Sequence, residues 1–232
     1  MKKQNILVID DNSNHLATAQ QTLADSHFVT YCATHEEAVE LLRPKYDYEQ
    51  QKLLMDKYKA QGLGFKEYYR RTKDESRLAY WDVVLTDLLM PAGPMMQGAV
   101  GRQFVGQEMA VGWALALEAA RCGAKYVAVV SDANHHDHPA SAMLDDIHDH
   151  IFTIDGARVL MTNLVPLVGI VGTEEVCPNC AGTGKQHVEY EKKKIEYECH
   201  ECTGTGRAFT RKGKDWEKIL AKLLRGSAVE ED

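Results

Sequence analysis

The sequence predicts an α/β fold organised around a parallel sheet, and three observations carry that expectation. Short apolar segments alternate with helical ones up to about residue 170, the order of strand–helix–strand units. Three segments are unbroken apolar runs, Ile6-Leu7-Val8-Ile9, Val83-Val84-Leu85 and Val127-Ala128-Val129-Val130, as in strands covered on both faces. The 232 residues are 44% hydrophobic and 26% charged, which excludes collagen-like, low-complexity and wholly disordered chains.

Taken in order, strands are expected over 5–9, 28–33, 82–86, 126–130 and 159–162. A first helix is read over 14–24. A second opens at Thr34, where Thr34-His35-Glu36-Glu37 has the form of a capping box. A third is expected over 103–121, stopped by Gly123, and a fourth over 140–148. Residues 45–80 break the rhythm with six tyrosines, and Leu53, Leu54 and Tyr58 fit one helical face before Gly62 and Gly64 interrupt it. This is a helical insertion after helix 2. Near the end, Trp216, Ile219, Leu220, Leu223 and Leu224 repeat at helical spacing. The expected organisation is therefore an α/β domain over 1–170, a cysteine-rich module over 174–210, and a last helix over 214–226 that packs back on the sheet.

No apolar run approaches the roughly 18 residues of a spanning helix, and the start, Met1-Lys2-Lys3-Gln4-Asn5 followed by four apolar residues and Asp10, is too short for a secretory signal. A cytoplasmic protein without membrane contact is expected. Four of its six cysteines form two C-x-x-C pairs, which in that compartment point to metal before disulfide.

In a parallel sheet, ligands bind where the strands end. The residues there are Asp10 and Asp11 after the first strand, Asp87 after the third, and Ser131 and Asp132 after the fourth. Carboxylates converging on one crevice repel one another and favour a hard cation such as Mg2+; the alternative is that each merely caps a helix or turn.

The segments Ile6-Leu7-Val8-Ile9-Asp10-Asp11-Asn12 and Val83-Val84-Leu85-Thr86-Asp87-Leu88-Leu89-Met90-Pro91 resemble the receiver (CheY-like) domain of response regulators. The resemblance spans residues 1 to about 165. It implies a flavodoxin-like five-stranded parallel sheet with helices on both faces. It also implies that Asp87 accepts a phosphoryl group, Asp10 and Asp11 hold Mg2+ with it, and Ser131 acts as a switch. A carboxylate can accept a phosphoryl group, and a metal offsets the charge that builds up. The chain departs from the family where receivers carry a lysine after the fifth strand. Asn163 and Leu164 fall there, and an amide cannot supply an ammonium charge. Gly93, Gly98, Gly101 and Gly106 also lengthen the passage after Pro91.

Asn134-His135-His136-Asp137-His138 follows the fourth strand and borders the expected pocket. Imidazoles ligate transition metals, so His135, His136 and His138 are candidate ligands, with a solvated histidine-rich loop as the alternative. His148 and His150 read as solvated helix-end residues.

Cys177-Pro178-Asn179-Cys180-Ala181-Gly182-Thr183-Gly184 and Cys199-His200-Glu201-Cys202-Thr203-Gly204-Thr205-Gly206 are two copies of C-x-x-C-x-G-x-G. Their spacing suits one structural zinc bound by Cys177, Cys180, Cys199 and Cys202. They resemble the cysteine-rich region of DnaJ-type co-chaperones, and the intervening residues read as a β-hairpin with Lys192-Lys193-Lys194 at its tip. Residues 185–225 hold 11 Lys+Arg against 7 Asp+Glu, a basic excess that suits an acidic protein or RNA; with so much Glu interleaved, a solvated zinc-stapled module or a protein contact is the favoured reading. Cys32 and Cys122 read as packing residues.

The function expected is a signalling module: an atypical receiver with a structural zinc site, acting through a protein partner and served by a histidine kinase or another phosphodonor. Two other classes fit the residues, a metal-dependent phosphohydrolase using the Asp/His pocket and a nucleic-acid or chaperone-type adaptor working through the zinc hairpin.

Overall fold

Along the first strand, β1 (Asn5–Ile9), burial is continuous from Ile6 onward, and its residues divide between two cores. Ile6 and Val8 face one helical layer, Leu7 and Ile9 the other. The computed structural model describes residues 2–94, 98–133, 138–163, 165–190 and 193–225. Five strands run parallel, β2 (Phe28–Cys32), β1, β3 (Val83–Asp87), β4 (Tyr126–Val130) and β6 (Ala157–Thr162), and β5 (Ile151–Ile154) pairs antiparallel with β6 at the edge. The result is a six-stranded, mostly parallel sheet. Helices α1 (Ser13–Leu23) and α7 (Trp216–Leu224) cover one face, and α2 (His35–Leu42) and α5 (Val111–Arg121) cover the other.

The expected element boundaries hold to within two residues except in three places. The sixth strand was not anticipated, although its signal is present. Asp155-Gly156 joins β5 to β6 with φ of 48° and 81°, the two positive values that a tight primed hairpin turn needs. The helix expected over 103–121 shortens to α5, because Glu108 and Met109 pair instead with Met90 and Pro91. Only a 3-10 turn (Gly101–Phe104) precedes it. The helix expected over 140–148 is a single turn, α6 (Pro139–Ala142), capped by His138. His148 and His150 lie in the turns beyond it rather than at a helix end, each bonded to a nearby carbonyl.

Other elements follow the sequence closely. The Thr34 hydroxyl accepts from the Glu37 N–H at the start of α2. The insertion forms two helices, α3 (Tyr48–Ala60) and α4 (Phe65–Glu75), closed at the base by pairing of Lys45-Tyr46 with Arg77-Leu78. Tyr58 and Tyr68 are buried within it. Cys32 and Cys122 each donate to a carbonyl, of Thr34 and Leu42, and burial pushes their thiols up to about 12 and about 11. They are packing residues. Among the described residues, no helix is long and apolar enough to cross a membrane.

Between β6 and α7 the chain leaves the sheet as an antiparallel ribbon. Strand β7 (Leu167–Gly169) pairs with β12 (Lys212–Lys214), and β8 (Glu174–Val176) pairs with β11 (Arg207–Phe209). Between these pairs lie two cysteine knuckles and a hairpin of β9 (Lys185–Tyr190) and β10 (Lys193–Glu198). The hairpin turn, including Lys192, lies outside the described residues.

Candidate functional site

The order of the sheet places the ends of β1 and β3 side by side, with the chain leaving β1 for β2 on one side and β3 for β4 on the other. That is the crevice in which open α/β sheets bind ligands. Asp10, Asp11 and Asp87 converge there, each offering an oxygen within 4.8 Å of the others. Asp10 is fully buried, Asp87 nearly so, and Asp11 exposed. The approach of α5 to Asp87 is fixed by Gly112, where a Cβ would stand 2.2 Å from the Asp87 carbonyl oxygen.

A residue the sequence analysis missed completes the pocket. Lys214, at the end of β12, is fully buried, and its Nζ lies 2.8 Å from Asp10 Oδ2, 2.8 Å from Asp87 Oδ1 and 3.3 Å from Asp132 Oδ1. It had been counted among the basic residues of a solvated face. Its main chain is held as firmly as its side chain: the N–H donates to His15 Nδ1 at 3.2 Å, and the carbonyl accepts from Thr18 Oγ1 at 2.8 Å. Because Nδ1 of His15 accepts, Nε2 carries the proton and donates to Asp132 Oδ2 at 3.0 Å. Asn163, at the position where a receiver-type lysine was sought, donates instead to Asp145. Nothing in local spacing links residue 214 to residue 10; 204 positions separate them.

The electrostatics follow from burial. Lys214 is raised above the usual lysine range, because three carboxylates outweigh the desolvation of its ammonium. Burial pushes Asp87 up to about 7, assisted by the charge of Asp10 and opposed by Lys214. Burial also raises Asp132, yet its hydrogen bond from His15 and the charge of Lys214 prevail and hold it below the usual range. Asp11 is raised by desolvation and by Asp10. Both contacts to Asp87 fall on Oδ1, from the Leu88 N–H and from Lys214.

A pH dependence results for the metal-free protein. The folded Asp87 binds its proton at higher pH than the unfolded chain, whose value is near 3.8. Its stabilising contribution is therefore complete below that value and is lost as pH rises through about 7. Asp132 acts in the opposite sense, and its contribution disappears only under more acid conditions. Thermal midpoints of wild type and Asp87→Asn, compared without divalent metal from about pH 5 to about pH 8, should diverge, with the wild type losing ground as pH rises. Parallel curves would refute the assignment.

The remaining candidates are placed as follows. The Ser131 hydroxyl is buried, 3.2 Å from Ser141 Oγ, and accepts from the Ala133 N–H. His138 Nδ1 accepts from the Ala140 N–H as the cap of α6. His135 and His136 lie outside the described residues.

The second cluster is Cys177, Cys180, Cys199 and Cys202, all buried, with their sulfurs within 4.8 Å of one another. Sulfur–sulfur separations are 3.7 Å for Cys177–Cys199 and 3.7 Å for Cys180–Cys202. Thiolate bonds of about 2.3 Å to a tetrahedral ion place sulfurs about 3.8 Å apart, whereas a disulfide needs about 2.05 Å. The four cysteines can hold a metal ion. The knuckles meet around a local two-fold: Cys177 N–H donates to Gly206 and Cys199 N–H to Gly184, both at 2.9 Å. A Cβ on Gly184 or Gly206 would lie 2.2 Å from a carbonyl of the opposite knuckle, which is why both repeats end in glycine.

No known protein family, curated protein or solved structure matches this chain.

Proposed function

We propose that this chain is a receiver-like signalling domain that accepts a phosphoryl group on Asp87 and works through a protein partner, with a structural zinc in the cysteine ribbon. One observation carries the reading. The ammonium of Lys214 lies between Asp10 and Asp87, supplying the cation that Asn163 cannot. The five parallel strands follow the order 2-1-3-4 with β6 next, consistent with a flavodoxin-like arrangement extended by one edge strand. Zinc is the ion favoured by four thiolates at tetrahedral separations.

The pocket chemistry is balanced. Four carboxylates, Asp10, Asp11, Asp87 and Asp132, face one ammonium, which leaves room for a divalent cation. Mg2+ held by Asp10, Asp11 and Asp87 would neutralise charge on the transferring group. An oxygen of Asp87 attacks phosphorus as the bond to the donor's leaving oxygen breaks, and the leaving group departs with that electron pair. Deprotonated Asp87 is the nucleophile, a form favoured by the cation and by Lys214. Lys214 then pairs with a phosphoryl oxygen. Ser131 can join it by turning its O–H to the phosphoryl group while it accepts from Ser141 and from the Ala133 N–H.

Incubation with acetyl phosphate and Mg2+ is expected to add one phosphoryl group to the intact mass, absent in Asp87→Asn and removed by hydroxylamine. Sustained hydrolysis of phosphate esters without an adduct would instead establish the phosphohydrolase. The absence of both would leave a binding scaffold.

A further inference from the structure

The three-residue strand β12 touches both clusters. At one end, Lys212 Nζ lies 2.7 Å from Oε1 of Glu201, the residue before Cys202 in the second knuckle. At the other, Lys214 is ion-paired with Asp10, Asp87 and Asp132. Between them, Gly213 lies against α1: a Cβ there would stand 2.4 Å from the Asn14 carbonyl oxygen and 2.6 Å from Thr18 Oγ1. The ribbon is clamped to the same helix by Arg211 to Asn14 Oδ1 and by Gln21 to the main chain of Gly169 and Val171. Hydrogen bonds continue outward from this base, through Ile170 to Arg211 and Thr210 to Thr173, until Cys177 meets Gly206.

We propose that the four-cysteine metal site and the acidic pocket are coupled through Lys212–Lys214, so that occupancy of the pocket tightens the ribbon's hold on its metal. The inference rests on the phosphoryl-accepting reading for its direction. An aspartyl phosphate carries about two negative charges at neutral pH in place of the single carboxylate charge it consumes, and so raises the demand for the ammonium of Lys214. Because β12 is pinned on α1, it stays seated when Lys214 does, and Lys212 then keeps Glu201 and its knuckle in place. Linkage is reciprocal, so loss of the metal weakens the pocket by the same factor. The Lys212–Glu201 pair is partly exposed, which places the coupling at the low end of the usual range, about fivefold.

The test times zinc release from the full-length protein to excess chelator, with and without Mg2+ and beryllofluoride as phosphoryl analogue. Fluorine NMR registers the bound analogue. Release should slow about fivefold with the analogue bound, and Lys212→Met, outside the pocket, should abolish the slowing. Unchanged release with the analogue demonstrably bound would overturn the coupling. If no analogue binds, the phosphoryl reading fails, and the coupling is judged separately on Lys214→Met and the milder Asp132→Asn. Both should speed release, and wild-type rates in a folded variant would overturn it.

Discussion

Lys214→Met is expected to lower the stability of the α/β domain by about 3–5 kcal/mol, the cost of removing one partner from a buried ion cluster. The reason lies in what remains. Asp10 is fully buried and Asp87 nearly so, and without the ammonium Asp10 loses its counter-ion while Asp87 is driven to take up a proton, in a medium that solvates charge poorly. Part of the loss should be recovered in the double variant Lys214→Met/Asp10→Asn, which removes one of the stranded charges. Urea unfolding of the metal-loaded protein, followed by circular dichroism, measures both. A loss below about 1 kcal/mol, the scale of an exposed pair, would mean that the lysine is solvated rather than seated. Phosphorylation of Asp87 should fall as well, because a positive charge is lost from the transferring group.

Chelation of the ribbon's metal should unfold residues 174–210 while the sheet persists. Among the described residues, the buried cluster of that segment consists of Cys177, Cys180, Cys199, Cys202 and Ala208, too little apolar surface to order so many residues. Structural zinc supplies about 10–16 kcal/mol in comparable modules. By contrast, the two cores that flank the sheet contain none of the ribbon's cysteines. Amide exchange should therefore accelerate across 185–190 and 193–198 after chelation, and remain slow in β1, β3 and β4. Cys177→Ser should reproduce the pattern. Retained protection in the hairpin would show that the metal is dispensable there.

These two effects separate what local pattern conveys from what it cannot. The strands β1, β3 and β4 were legible because a strand buried on both faces must be apolar throughout. The knuckles were legible because thiolates, glycines and spacing lie within eight residues of one another. The edge strand β5 is only four residues long and nowhere fully buried, and its Asp155-Gly156 turn was the clearest signal available. The length of α5 depended on a competitor outside the helix, the pairing of Glu108-Met109 with Met90-Pro91.

By itself the sequence determined the α/β character, the acidic ends of the first and third strands, and the four-cysteine set, all features written within short windows. Only the tertiary structure decided that Lys214, an apparent surface charge, is the counter-ion of the pocket. The physical reason is that a burial cost of this size can be met only by partners brought from elsewhere in the chain. Asp10 and Asp87 come from the sheet, His15 and Thr18 from α1, and the lysine from the far side of the ribbon.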